Sequence, residues 1–403
     1  MTSAWPHRRL RDICEFKGGG TPSKAVERYW QGDIPWVSPK DMKSEIVWDS
    51  VDHITHEAVA QSATSIIEPG AVLMVVRSGI LARTVPIALA GRSLALNQDL
   101  KALCPGPSID SKFLYYLLES KMPELLSLVS RGATVHRLIT DQIRDIEFRL
   151  PPLIEQRRIV GILDEAFEGI ATAKAHAERN LRNAREVFAQ SREDILERSE
   201  GWLGASLSEL CEIRHGYAFE GEHFATHGEH VLLTPGSFFE TGGFRDRGGK
   251  TKYFVGAIPP AFVLDEGDLL VAMTEQAAGL LGSPLLVPED GRYLHNQRLG
   301  RVIGRDSVRW TNDFFFHVFN LRRVRAEIHA SASGVKVRHT SPAKIGAIRV
   351  KFPPTSGEQS AVAAALRELA EDCHRLQALY TRKLAALDEL KQSLLHQAFS
   401  GAL

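Results

Sequence analysis

Cysteine is scarce, charge is balanced and no long apolar run occurs in this 403-residue chain. The four cysteines are Cys14, Cys104, Cys211 and Cys373. None lies in a Cys-x-x-Cys pair, which argues against zinc ribbons and dithiol redox motifs. Such sparing use fits a reducing, cytoplasmic compartment. The longest apolar run, near Ala71–Val76, falls far short of the roughly 20 residues that span a bilayer. The opening MTSAWPHRRL has basic residues but no apolar stretch behind them, unlike a secretory signal. Lys+Arg and Asp+Glu both number 49, so the formal net charge is zero. A domain that binds nucleic acid unaided is usually basic. Balance still permits local basic loops, and a partner that supplies the rest of the positive field.

Signatures of catalysis are missing too. In KGGGTPSKAVERYWQGDIPWVSPKDM (residues 17–42) the glycines come too early, and Lys24 follows Ser23, so no phosphate-binding P-loop forms. A third glycine for a dinucleotide fingerprint never arrives. There is no G-x-S-x-G elbow and no H-E-x-x-H. The Pro-Pro pairs follow Leu150 and Phe352 and lack the Asn or Asp of an adenine methyltransferase motif; they read as strand-to-helix punctuation. His223, His227 and His230 cluster without matching cysteines and read as a solvated loop rather than a zinc site. Asp33, Asp41 and Lys43 fit a loose metal-nuclease template, two carboxylates for Mg²⁺ and a lysine for water. That template is short, Asp33 sits in a turn-like Gly-Asp-Ile-Pro, and the second half has no equivalent. A plain turn is the better reading.

What the chain does have is an internal repeat. VHRLITDQIRDIEFRLPPLIEQ in the first half answers to VRHTSPAKIGAIRVKFPPTSGEQ in the second. Gly132, Val135, Ile143, Ile146, Pro151 and Pro152 match Gly334, Val337, Ile345, Ile348, Pro353 and Pro354 at one offset, and Glu155-Gln156 matches Glu358-Gln359 one residue further on. Upstream, Trp5, Leu10, Cys14 and Gly19 match Trp202, Leu207, Cys211 and Gly216. Asn97-Gln98 matches Asn296-Gln297, and Phe113 matches Phe314. The shared residues are structural types and the loops differ, so each half is one scaffold with its own surface. GAVLMVV, DIEFRL, GDLLVAM and AIRVKF read as strands, and the aromatic stretches after Ser111 and Asp313 as helices.

Each Pro-Pro opens a long helical stretch. Apolar or small residues fall at Ile159, Leu163, Ala166, Ile170, Ala173, Ala177, Leu181 and Ala184, and at Val362, Leu366, Leu369, Cys373, Leu376, Tyr380, Leu384 and Leu387. Alternating steps of three and four make a coiled-coil seam, and paired fours mark a stutter. Both seams place the stutter alike, which predicts that the helices pack on each other, antiparallel, and hold the two globular halves apart. Two separate amphipathic helices are the plainer alternative.

The block GGGTPSKAVERYWQGDIPWVSPKDM closely resembles the Gly-Gly-Thr-Pro … Tyr-Trp … Ile-Pro-Trp-Val … Lys-Asp-Met block of specificity subunits in type I restriction–modification systems. PPLIEQRRIVGILD resembles the opening of that family's first long helix, and LLHQAFSGAL the end of the second. IRHGYAFEGEHF keeps only a Gly-Tyr-x-Phe flavour. The resemblance covers nearly the whole chain. It implies an α/β (α+β) fold with two similar target recognition domains, residues 1–150 and 201–352. Two long antiparallel coiled-coil helices, residues 151–200 and 353–403, would separate them. It implies a non-catalytic subunit with no cofactor or metal of its own, reading a bipartite double-stranded DNA target. Its partners would be DNA adenine methyltransferase subunits using S-adenosylmethionine, and a restriction/translocase subunit using ATP and Mg. A recognition subunit of a two-subunit methyltransferase/endonuclease shares the same pattern.

Base-reading candidates are flexible donors and acceptors on loops. In the first half these are Lys17, Thr21, Ser23, Lys24, Lys40, Arg77, Ser78, Arg83, Arg131, Thr134, His136 and Arg137. In the second they are Arg214, Tyr217, Arg245, Arg247, Lys250, Lys252, Glu275, Gln276, Lys336, Arg338 and His339. The loops SRGATVHR and SASGVKVRH stand out because both set a glycine and basic residues ahead of a strand. Gly18–Gly20 read as a tight turn that brings backbone and basic groups near DNA. Recurrence of Asn97-Gln98 and Asn296-Gln297 points to a scaffold hydrogen bond, since the halves should read different bases.

Overall fold

A computed structural model of the chain describes residues 5–197, 200–276 and 278–402. Helix and sheet are mixed, and the chain divides into two compact units, Met1–Glu178 with Arg382–Leu403, and Arg179–Thr381. Each unit holds one globular repeat and a part of each long helix, Leu153–Glu197 and Ser356–Ser400, of 45 residues apiece. No helix among the described residues is long and apolar enough to cross a membrane.

In the first unit, a five-stranded sheet runs in the order Cys14–Gly18, Leu100–Pro105, Val72–Val75, Ile87–Ala90, Ile46–Val47. A second sheet of four orders Asp52–Ile54, Ile34–Val37, Leu94–Leu96 and Ile66–Ile67. Val72–Val75 is buried at every position, as a continuous apolar run in a covered sheet requires. Helix Ser111–Ser120 is capped by Asp110, whose carboxylate accepts from the amides of Lys112 and Phe113. It buries Phe113, Leu114 and Leu117 in a core that Ile159, Leu163, Leu395 and Ala398 of the long helices complete.

The second unit repeats the plan. Cys211–His215, Leu299–Gly304, Leu269–Ala272 and Pro284–Leu286 follow the order of the first sheet. A second sheet again contains one parallel pair, His230–Leu232 beside Tyr293–Leu294, as Ile34–Val37 lies beside Leu94–Leu96. Helix Asn312–Phe319 packs Phe314, Phe315 and Val318 against Leu196, Ala363 and Leu366. His7–Arg9 pairs antiparallel with Glu147–Arg149, and Leu203–Ser206 with Arg349–Phe352, so each repeat closes on a two-stranded ribbon.

The recurring Glu-Gln has a physical reason. Gln156 is fully buried; its Oε1 accepts from the Asp110 amide at 2.8 Å, and its Nε2 donates to the carbonyls of Ser108 and Pro151 at 2.9 and 2.8 Å. Gln359 is equally buried; its Nε2 donates to Arg309 and Pro353 carbonyls at 2.9 and 3.2 Å, and its Oε1 accepts from Thr311 Oγ1 at 3.1 Å.

Within each unit the long helices pack antiparallel. Lys174 pairs with Asp388 and the Lys391 ammonium lies over Phe167 in the first unit. Asn180 donates to Tyr380 in the second. All eight expected seam positions of the first helix are buried or half-buried. In the second helix Leu376 is 44% exposed and Gln377 takes its place in the seam. The second stutter therefore falls earlier than expected, and the two no longer match. An antiparallel pair does not need them at equal positions, because opposing residues run in opposite order.

Two outcomes follow from this packing. Replacing Gln156 or Gln359 by Leu strands three polar partners, and each buried group left unpaired costs about 1–3 kcal/mol; urea titration should show that loss for either variant. His295 is buried against the Leu299 carbonyl, and burial pushes its pKa from 6.5 down to about 4. The unfolded chain then binds more protons than the folded one between those values, so His295 stabilises fully above pH 6.5. That contribution should fade as pH falls through the window toward 4, and His295→Gln should flatten the pH dependence of the urea midpoint there.

Candidate nucleic-acid interface

The two glycine-plus-basic loops form equivalent structures. In the first unit His136–Arg137 pairs antiparallel with Arg77–Ser78, placing Arg77 opposite Arg137 and Ser78 opposite His136. Ser130 bridges back to Arg137 through hydrogen bonds of 2.8 and 3.0 Å, closing the loop between them. Gly132 permits that closure, because a Cβ there would lie 2.4 Å from the Val135 carbonyl oxygen. In the second unit Thr274–Glu275 pairs with Arg338–His339, and Ser333 bridges to His339. Gly334 closes this loop with φ of +100°, its Cβ position 2.1 Å from the Val337 carbonyl oxygen. The glycine matched in sequence is thus the one residue type that fits both turns.

The first ribbon concentrates charge. Like charges directly opposite on a ribbon destabilise it. Arg77 and Arg137 nonetheless face each other, and the Arg77 guanidinium meets the Asp99 carboxylate at a long 3.9 Å. Arg131, Thr134 and Arg137 are exposed, while His136 is half-buried with its Nδ1 unpaired among the described residues. Ser78 caps the turn Gly79–Ala82 by accepting from the Ile80 amide, and exposed Arg83 follows it.

The second ribbon departs from expectation at Glu275. Its side chain is buried, and Oε2 accepts from the amides of Gly279, Leu280 and Leu281 at 2.9–3.0 Å. A carboxylate committed to three amides holds a loop and does not reach a base. Arg338 is occupied as well: it donates to the His329 carbonyl and lies 3.5 Å from Glu275. Gln276, Lys336 and His339 remain exposed, and Val335 at the tip is 99% exposed.

The opening glycines are also corrected. Gly18, Gly19 and Gly20 have no positive φ and form no tight turn. A Cβ on Gly19 would lie 1.9 Å from the Asn97 carbonyl oxygen, and one on Gly216 would lie 2.3 Å from that of Asn296. These glycines let two backbones touch. The Asn side chains hold that corner, Asn97 Oδ1 accepting from the Asp99 amide and Asn296 Oδ1 from the Arg298 amide, both at 3.0 Å. Thr21 donates to Gln98, Lys17 is half-buried 3.8 Å from Glu15, and Lys40 donates to Asp52 at 2.7 Å; Ser23 and Lys24 are exposed.

The remaining second-half candidates lie elsewhere on that unit. Tyr217 is 40% exposed and bridges to Asn296, and Arg214 pairs with Glu212 at 2.9 Å. Arg245, Arg247 and Lys252 line a cleft of about 360 Å³, and Lys250 is exposed beside it. Asp41, from the nuclease template, accepts from the Ser38 amide and hydroxyl and from the Val51 amide, so it builds a turn. Sequence reasoning passed over Thr274, which faces His339 across the second ribbon. The signal was available, because Thr274 lies from Arg77 at the offset that relates Trp202 to Trp5.

The family model of the type I restriction modification DNA specificity domain matches residues 2–179. The type I restriction enzyme EcoR124I/EcoR124II specificity subunit of Escherichia coli is 39% identical over 160 residues, 39% of this chain and 40% of the relative. The MjaIX specificity subunit of Methanocaldococcus jannaschii is 32% identical over 188 residues, 46% and 43% of the two chains. These matches span about two-fifths of the relatives' own length. A solved chain from work on complex assembly and conformational transition of the type I R-M system superposes with a TM-score of 0.78. It covers 100% of this chain and 99% of its own at 16% identity, a likeness of fold.

Residues 2–179 carry a DNA specificity domain of the type I restriction–modification class. Over that part the chain is similar to type I specificity subunits.

The ribbon geometry makes one stability test decisive. Glu275→Ala removes the acceptor for three amides and should cost about 2–4 kcal/mol, at ~1–3 kcal/mol per stranded group with partial rescue by water. Gln276→Ala, exposed beside it, should stay within about 0.5 kcal/mol. Urea denaturation of the two variants separates a loop-holding carboxylate from a surface one.

Proposed function

We propose that this chain is the DNA-reading subunit of a type I restriction–modification complex. It reads a bipartite duplex target, one part per globular repeat, and directs adenine methylation and restriction by partner subunits. Residues 1–150 and 201–352 act as the recognition domains, and 151–200 and 353–403 as the helices that join them. The chemistry belongs to methyltransferase and translocase partners, and this chain contributes sequence choice.

The observation that carries this reading is the Arg77–Arg137 pairing in the first ribbon. Two arginines held opposite each other cost stability in the free protein, and a polyanion relieves that cost. A two-stranded ribbon fits the major groove of B-DNA, and arginine pairs bidentately with guanine there. The second ribbon has the same backbone with Gln276, Lys336 and His339 outward, a different donor set on one scaffold. Different side chains on equivalent ribbons are what reading two different half-sites requires. The zero net charge is met by partners that add phosphate contacts around the duplex.

The test uses the assembled complex and maps methylated adenines in DNA. Exchanging residues 5–150 for the matching half of a related subunit should change one half-site and leave the other intact; a chimera that changes both would mean the halves do not read independently. Neutralising Arg131 and Arg137 together should weaken binding. If they touch phosphate, the salt slope falls; if they read bases, the loss concentrates at one half-site, at ~1–3 kcal/mol per bidentate contact. Unchanged affinity and unchanged methylation sites reject the ribbon as the reading element.

A further inference from the structure

The internal repeat allows the interior of one unit to be compared with the other, position by position. In the first unit, side chains of helix Ser111–Ser120 meet the first long helix directly. Tyr116 donates its hydroxyl to Asp164 at 2.5 Å and packs edge-on against Phe167, and Lys112 pairs with Asp164 at 2.8 Å. Leu395 is fully buried beside them.

The second unit changes these positions together. By the offsets of the repeat, Tyr116 becomes His317, Asp164 becomes Arg367, Phe167 becomes Ala370, Leu395 becomes Arg192 and Asp388 becomes Arg185. The Lys112–Asp164 pair survives with its charges exchanged, as Asp313–Arg367 at 3.1 Å. Ala370, where the first unit has the Phe167 ring, lines a cavity of about 940 Å³, in the range of small-molecule sites. All these second-unit residues line it.

Three buried polar atoms of its lining lack partners among the described residues. Arg192 is 8% exposed where the other unit has a core leucine. It lies 3.9 Å from Glu193, stacks over Phe188, and leaves its Nε buried and unpaired among the described residues. His317 Nδ1 and Asn320 Nδ2 are likewise buried and unpaired, in side chains 8% and 5% exposed. Burial and the neighbouring Arg192 and Arg367 drive the His317 pKa to about 4, so its ring is neutral at physiological pH. A buried guanidinium that meets its carboxylate only at 3.9 Å is costly unless an anion supplies further contacts. Phe188, Phe239, Phe244 and Phe316 line the rest of the cavity and give flat apolar faces.

We propose that this cavity of the second unit binds a small organic anion with a flat ring, a nucleoside phosphate by chemical class. Arg192, Arg185 and Arg367 receive the phosphate, since guanidinium matches its oxygens bidentately. The phenylalanines receive the ring. The volume exceeds what a bare phosphate fills, and the first unit carries Phe167, Leu395 and Asp388 where the second has Ala370, Arg192 and Arg185.

The test is calorimetric titration of the purified full chain with ADP, with adenosine and inorganic phosphate as separate arms. ADP should bind, adenosine alone should not, and phosphate should bind at least tenfold more weakly than ADP. Arg185→Gln and Arg367→Gln, both on exposed helix positions, should each weaken ADP binding severalfold. Arg192→Leu restores the residue type of the first unit, should fold at least as well by thermal melting, and should abolish binding. Ala370→Phe should narrow the cavity and weaken ADP binding severalfold too. Absence of ADP heat, binding untouched in the folded variants, or phosphate binding as tightly as ADP would each overturn the proposal. So would cavity variants that leave ADP binding intact but lose a partner subunit.

Discussion

One buried glutamine at the start of each long helix, Gln156 or Gln359, ties that helix to its globular repeat by three hydrogen bonds. A helix start leaves backbone groups without intrahelical partners, and a strand leaving a sheet does the same. The Pro-Pro before each helix removes two donors from that junction, and the glutamine amide serves the carbonyls and donors that remain. Because the side chain both donates and accepts, no apolar residue of similar size can replace it. Everything downstream inherits this anchor: the direction of the helix, the face it turns to the domain, and the core residues Leu163 or Leu366 about two turns on.

The second constraint is close approach of backbones. Gly19 and Gly216 sit where any Cβ would overlap the carbonyl of Asn97 or Asn296, and Gly132 and Gly334 close the ribbon loops in the same manner. These positions recur because the scaffold needs them, and their recurrence says nothing of target choice. Under the proposed function, target choice would lie in what does not recur. Arg77 and Arg137 face each other in one unit, Glu275 and Arg338 in the other. The first pairing leaves positive charge outward, whereas the second neutralises itself and holds a loop.

The same scaffold is also repacked between its copies. An ion pair keeps its place while its charges exchange, from Lys112–Asp164 to Asp313–Arg367. Such an exchange is nearly neutral for the pair but not for its neighbours, since Tyr116 loses its acceptor when an arginine replaces the aspartate. A leucine-to-arginine change at a buried position then has no counterpart in stability terms. It reads as a site whose energetics are completed by something outside the chain.

Much was legible in the sequence. The repeat, the strands at Val72–Val75 and Leu269–Ala272, the aromatic helices and the long helices after each Pro-Pro all follow from apolar period and from proline's missing donor. So did the scaffold role of Asn97 and Asn296, because a polar residue that recurs among divergent loops is bonded to the backbone. Tertiary structure alone decided which charged groups are spent. Glu275, Arg338 and Asp41 looked available, but backbone groups far along the chain, or folded back onto them, take up their polar atoms. Leu376 fitted the heptad but lies outside the seam, because only the position of the partner helix sets which neighbouring step faces inward. The Arg192 cavity likewise needed folding to exist, since it forms where Phe239, His317 and Ala370 converge from segments distant in sequence. Local spacing encodes period and caps; which donors remain unpaired depends on who meets them in space.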